Sequence, residues 1–168
     1  MTKKGDRIEV RSGGPEDYEN VITALQSEGA YRESSDNPDT YDRTLERDSD
    51  AMLVAIGHGK VRRNRFLGVV FTKYDPEDHY QKANIYAGAI IPGYKRRANV
   101  RDALVGEARK RLLSKLVQRA EQLIDEQIEE EKEDLEKQGT DPEEKRQELK
   151  NKINWQDLES NIVIRFYS

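Results

Sequence analysis

Three apolar segments of strand length follow one another between residues 51 and 91, with no helix-length stretch between them. They are Ala51-Met52-Leu53-Val54-Ala55-Ile56, then Phe66 to Lys73, then Ala83 to Ile91. Strands joined directly to one another pair antiparallel, so this run argues against an alternating βαβα parallel sheet. Gly57-His58-Gly59-Lys60 and the basic residues after it read as an enlarged hairpin loop. Asp75-Pro76-Glu77-Asp78 reads as a turn, and Pro92-Gly93 stops the third segment.

The flanks supply the rest of a sheet-and-helix domain. Ile8-Glu9-Val10-Arg11 alternates like a short first strand. Pro15-Glu16-Asp17, preceded by Ser12-Gly13-Gly14, has the chemistry of a helix start, and Tyr18, Val21, Ile22 and Leu25 recur at helical spacing until Gly29. Pro38 to Arg47 forms a short second helix with Tyr41 and Leu45 inward. One long helix is expected from about Ala98 to Lys137. Its stripe, Val100, Leu104, Ala108, Leu112 and Leu116, thins beyond Ile124. Gly139 ends it, Asp141-Pro142 starts another helix reaching about Ile153, and Leu149 and Ile153 are available to Ile128 and Leu135. Asn161 to Tyr167 is either a last strand or the start of a helix. The expected fold is α/β of the α+β kind: a mixed, mostly antiparallel sheet with packed helices plus a projecting helical hairpin. It divides into a core at 7–117, a charged hairpin arm at 118–153 and a closing element at 154–168.

Charged residues make up 37% of the chain against 35% hydrophobic, and the excess sits in 118–152. A net charge of -4 gives no overall attraction to nucleic acid. The basic tip Lys60-Val61-Arg62-Arg63-Asn64-Arg65 is short and lacks interleaved aromatics, so nucleic acid is not the expected partner. No apolar run approaches the ~20 residues that span a bilayer, and Met1 to Asp6 lead into no signal segment; the expectation is a cytoplasmic chain with no membrane contact. Without cysteine there is no thiol nucleophile or thiolate metal site, and no metal-ligand cluster, P-loop or Ser/His/Asp arrangement stands out. The arm has too few apolar residues to support an isolated hairpin, which makes residues 118–153 a candidate surface for a second copy or another protein.

The chemistry concentrates between residues 85 and 105. There a strand containing Gly88 runs through Ala89-Ile90-Ile91 into a basic turn, Lys95-Arg96-Arg97, and then into a helix start at Ala98-Asn99-Val100-Arg101. A glycine inside a strand marks a bulge or a close backbone approach. A helix start offers unpaired N–H groups and the positive end of the dipole to phosphate oxygens. The segment reads either as a site for an extended ligand ending in a pyrophosphate or as a solvated basic turn.

Here the chain resembles the GNAT superfamily of acetyl-CoA-dependent N-acetyltransferases. The match lies in Ile91-Pro92-Gly93-Tyr94-Lys95-Arg96-Arg97 followed by Ala103-Leu104-Val105. The opening Ile8-Glu9-Val10-Arg11 with Pro15-Glu16-Asp17, the segment Phe66-Leu67-Gly68-Val69-Val70 and the end Asn161 to Tyr167 are also similar to the family. Ala98 and Val100 stand where the family's loop carries glycines, that loop is one residue longer, and the closing element is one residue short.

The resemblance implies transfer of an acetyl group from acetyl-CoA, as co-substrate, to an amine acceptor, small molecule or peptide. Ala89, Ile90, Ile91 and residues Lys95, Arg96, Arg97, Ala98, Asn99, Val100 and Arg101 would hold the cofactor. Tyr167 matches the tyrosine that protonates the departing thiolate. A base is also required, because an alkyl ammonium with a pKa near ~10 is mostly charged at neutral pH. Glu28 is the candidate, with Asp78 and His79 as further choices. Glu28, Glu33, Asp36, Asp39, Asp42, Glu46, Asp48 and Asp50 border the acceptor side in that family's fold, where a negative field would draw a cationic amine. The alternative is a non-catalytic protein of the same fold whose charged arm mediates assembly.

Overall fold

In a computed structural model, the described residues are 7–59, 64–75 and 83–165. Five strands form one sheet in the order β1-β2-β3-β4-β5: Arg7–Ser12, Met52–His58, Arg65–Tyr74, Ala83–Ile90 and Ile162–Arg165. The first four pair antiparallel and β5 joins β4 in parallel. The fold is therefore the expected mixed, mostly antiparallel α/β arrangement. Asn161 to Tyr167, open between helix and strand in the sequence, is a strand at least over Ile162–Arg165.

Helices cover both faces. On one, α1 (Tyr18–Ser27) and α2 (Pro38–Arg47) pack through Val21, Leu25 and Tyr41 against Met52, Val54, Val69 and Phe71. A 3₁₀ turn, Pro15–Asp17, leads into α1, and buried Asp17 is satisfied there by both Arg11 Nη atoms (2.8 and 2.9 Å) and the Gly14 N–H (2.9 Å). Asn37 caps α2 by accepting the Thr40 N–H at 2.9 Å, with Pro38 at the first helical position. On the other face, α3 (Arg97–Lys137) lays Val100, Leu104, Ala108, Leu112 and Leu116 over Leu53, Ala55, Leu67, Ile85 and Ile90. Each such leucine, taken out of water, contributes about 1.5–3 kcal/mol.

The 41 residues of α3 extend about 60 Å, whereas its stripe against the sheet, Val100 to Leu116, covers only about 24 Å. Beyond it, α4 (Pro142–Asn151) folds back after Gly139, which takes φ 72°. Arg146 and Lys150 of α4 meet Asp125 of α3 at 3.2 and 3.1 Å. A one-turn helix, α5 (Trp155–Glu159), returns the chain to the sheet with Leu158 against the core. No periodic pattern marks α5 beforehand, because five residues are too few to show one.

The axis of α3 is set by a polar clamp at the sheet edge. Arg111 donates to Ser12 Oγ (3.0 Å) and Asp50 Oδ1 (2.6 Å), and Lys115 donates to Asp48 Oδ1 (2.6 Å). With the buried stripe, this fixes where the helix begins relative to the end of β4.

Candidate functional site

The site is built around an irregularity in β4. Along β3, Val69 faces Ala89 but Phe71 faces Tyr86, so β4 spends one residue more than β3 over the same interval. That is a β-bulge at Ala87 and Gly88, and a bulge leaves its extra residue out of the ladder. The sequence placed the irregularity at Gly88; the residue in the left-handed region is its neighbour Ala87, with φ 50°. The parallel pairing of β4 with β5 covers only Ala83–Tyr86 among the described residues. From Ala87 to Ile90, β4 has its partner β3 on one side and, among the described residues, no strand on the other. Ile91 remains tied to β3 through its N–H and Leu67 O, at 2.9 Å.

Gly68 lets β4 and α3 come this close. A Cβ there would lie 2.8 Å from the Ala89 carbonyl oxygen and 3.3 Å from both Val100 and Leu104 side chains. After Ile91 the chain turns through Pro92 to Arg96, with Gly93 at φ 77° and the Arg65 guanidinium 5.8 Å from the Tyr94 ring centre. Helix α3 then begins with no side-chain cap and no acid in its first turn. Lys95 and Arg96 are exposed beside it. An uncapped helix start with adjacent cations attracts anionic oxygens.

Not every residue of the expected loop faces solvent. Residues 97–101 are already helical, so the stretch is a first turn rather than a loop. Ala98, Asn99 and Arg101 are exposed, but Val100 is wholly buried under β3. The Asn99 and Val100 N–H groups already donate to Arg96 O, at 3.1 and 3.3 Å. Arg97 donates to Ile91 O at 3.3 Å and forms an ion pair with Glu28, just past the end of α1. The sequence assigned Glu28 and Arg97 to different tasks, and the fold brings them together as partners.

A cleft of about 520 Å³ opens on the α1–α2 face beside the bulge. Its floor is aromatic: the Tyr41 and Phe71 ring centres are 5.9 Å apart, and those of Phe71 and Tyr86 are 6.1 Å apart. Ala87 lies on its wall, with Tyr31, Arg32, Asp36 and, from β5, Arg165. Burial, with a smaller contribution from Asp36, pushes the Tyr86 phenol up. Burial and the hydrogen bond to Asp36 push Tyr41 up as well. Both hydroxyls hold their protons at neutral pH, and Tyr41 donates to Asp36. Arg32, Tyr31, Tyr86 and Arg165 were missed in the sequence, since nothing in a linear reading sets residue 32 beside residue 165.

The acids expected to form a negative field are largely engaged elsewhere. Asp36 accepts from Tyr41 Oη (2.8 Å) and the Arg32 N–H (2.7 Å), and Asp42 accepts from Tyr18 Oη (2.6 Å). Asp48 and Asp50 belong to the clamp on α3, and Glu28 to Arg97. Tyr167, Asp78, His79 and the basic tip at 60–63 lie outside the described residues. His58, given no role, pairs with Glu9 at 2.7 Å. Among the described residues no group of three or more His, Cys, Asp or Glu could hold a metal, and no helix is long and apolar enough to cross a membrane.

No family model and no curated protein matches the chain. Among solved structures it is similar to the diaminobutyrate acetyltransferase EctA from Paenibacillus lautus, determined in complex with its substrate L-2,4-diaminobutyric acid and coenzyme A. The TM-score is 0.44 at 14% identity, over 61% of this chain and 57% of that one, so the chain spans little more than half the length of that protein.

Proposed function

We propose that the protein is an acetyl-CoA-dependent N-acetyltransferase. The observation that carries the reading is the continuity of the β4 edge with the start of α3. A strand edge with no partner among the described residues, Ala87–Ile90, leads across a short turn to a helix start flanked by Lys95 and Arg96. An extended, amide-containing ligand with a terminal pyrophosphate suits that path: backbone groups of the edge for its amides, and N–H groups and cations for its phosphates. The thioester supplies an activated acyl carbon; the amine nitrogen bonds to it, the C–S bond breaks, and the proton lost by the amine balances the one gained by the thiolate.

The chain's own groups divide the remaining work. The bulge at Ala87–Gly88 offers backbone N–H to the oxygen that gains charge during transfer. Tyr86 is a hydrogen-bond donor at the same place; a phenol raised above its usual pKa near ~10 is too weak an acid to give its proton readily to a thiolate near ~8.5. Tyr167 is the proposed proton donor. Glu28 is the proposed base; it forms an ion pair with Arg97. Phosphate oxygens at the α3 start would compete for the Arg97 guanidinium and release Glu28 as the ligand arrives.

Calorimetric titration of CoA into the Lys95→Glu/Arg96→Glu double variant tests the reading. Both side chains are exposed and neither has a partner among the described residues, so the fold should be unchanged while affinity falls by at least about a hundredfold, two charge reversals beside a pyrophosphate each being worth over about 1.4 kcal/mol. Equal affinity in the variant and the wild type would refute the assignment of this helix start.

A further inference from the structure

We infer that the cleft beside the bulge takes an amine that also carries a carboxylate, with an apolar body, and that Arg165 and Arg32 hold the carboxylate. The inference deepens the proposed acetyl transfer and rests on it for the reaction, though not for binding.

The charge balance of the cleft runs opposite to the sequence expectation. Asp36 is the sole carboxylate on its wall among the described residues, and both its oxygens are taken, by Tyr41 Oη at 2.8 Å and the Arg32 N–H at 2.7 Å. Two guanidinium groups line the same space, and neither has a carboxylate partner among the described residues. Among the described residues Arg32 engages only through its backbone, in the turn with Asp36 and Ser35. Arg165 stands opposite Tyr86 in the parallel register, one residue before the bulge at Ala87. An arginine fork matches a carboxylate in shape and charge, and two guanidinium groups against one carboxylate leave the cleft's described lining net positive, which favours an anion and opposes a ligand that is only cationic.

The same charges help the chemistry. A cationic surrounding disfavours the ammonium form of a bound amine and so increases the fraction present as a nucleophile. The cleft's volume of about 520 Å³ lies in the small-molecule range. Its floor of Tyr41, Phe71 and Tyr86 rings suits an apolar or aromatic side chain rather than a polyamine. The ligand class is a single apolar or aromatic α-amino acid, or a close relative.

The test is direct binding by calorimetry, independent of turnover. L-phenylalanine and L-leucine are compared with 2-phenylethylamine and 3-methylbutylamine, which lack only the carboxylate, and with spermidine. The inference predicts that at least one amino acid binds about tenfold or more tightly than its decarboxylated counterpart and than spermidine. Arg165→Gln and Arg32→Gln, both exposed positions, should each erase most of that preference without moving the melting temperature or the affinity for CoA. Equal binding of amine and amino acid, tighter binding of spermidine, an unchanged preference in both variants, or no amino-acid binding at millimolar concentration would each overturn it. CoA binding measured on the same samples separates the two proposals. CoA binding without carboxylate preference removes only this inference, whereas Arg165-dependent amino-acid binding without CoA binding removes the acetyltransferase and leaves it standing.

Discussion

Ala87 holds a backbone conformation that costs a residue with a Cβ about 1–2 kcal/mol, and it does so where β4 leaves its ladder. Glycine would lift that cost but adds about 0.5–1 kcal/mol of chain entropy to be lost on folding. Ala87→Gly should therefore be neutral or stabilising by up to about 1 kcal/mol in urea unfolding, and Ala87→Val destabilising by about 1–2 kcal/mol. Loss of stability in the glycine variant would show that the bulge is not strained. Tyr18 provides a pH signature. Burial first, then the hydrogen bond to Asp42, push its phenol up to about 12. Because the folded value lies above the unfolded value near ~10, the folded state holds the proton more tightly. That stability is fully present below about pH 10 and is lost as the pH rises toward 12. Tyr18→Phe should be less stable at pH 7, by about 1 kcal/mol for the lost hydrogen bond, and should show a shallower decline from pH 10 to 12. Parallel decline in both proteins would exclude Tyr18 as a source.

At the scale of elements, the long helix divides into a part held by the sheet and a part held by its own return. Ten residues are too few for α4 to persist alone in water. Arg146 and Lys150 tie it to Asp125 of α3. Asp125→Ala should speed tryptic cleavage between Lys145 and Lys152 several-fold while the sheet keeps its resistance; unaltered cleavage would mean that these ion pairs do not hold α4 in place. The elements readable from the sequence were those with a local cause. Pro38 and Asn37 announce α2, and Phe66 to Lys73 is too apolar and β-branched to be a surface loop. Residue 88 stood out because glycine is conspicuous in a strand, but which neighbour absorbs the positive φ depends on the register with β3. That Ile162–Arg165 form a strand depends on β4 offering an edge, which no local pattern contains.

At the scale of the whole molecule, the sheet order puts the bulged end of β4, the start of α3 and the α1–α2 cleft at one place. Sequence motifs pointed to the first two, because strand, basic turn and helix start are contiguous in the chain. The cleft escaped notice because Arg32, Tyr86 and Arg165 meet only after folding. The acidic segment looked like a negative field because its acids were counted without the partners, Arg97, Tyr18, Lys115 and Arg111, that folding supplies. The central claim is that an extended ligand lies along Ala87–Ile91 and ends at the start of α3. Hydrogen–deuterium exchange with and without CoA tests it at residue resolution. The account predicts slowed exchange concentrated in Ala87–Ile91 and in the first turn of α3, with β1 and α4 unchanged. No protection at those amides with saturating CoA, or protection centred on another surface, would contradict it.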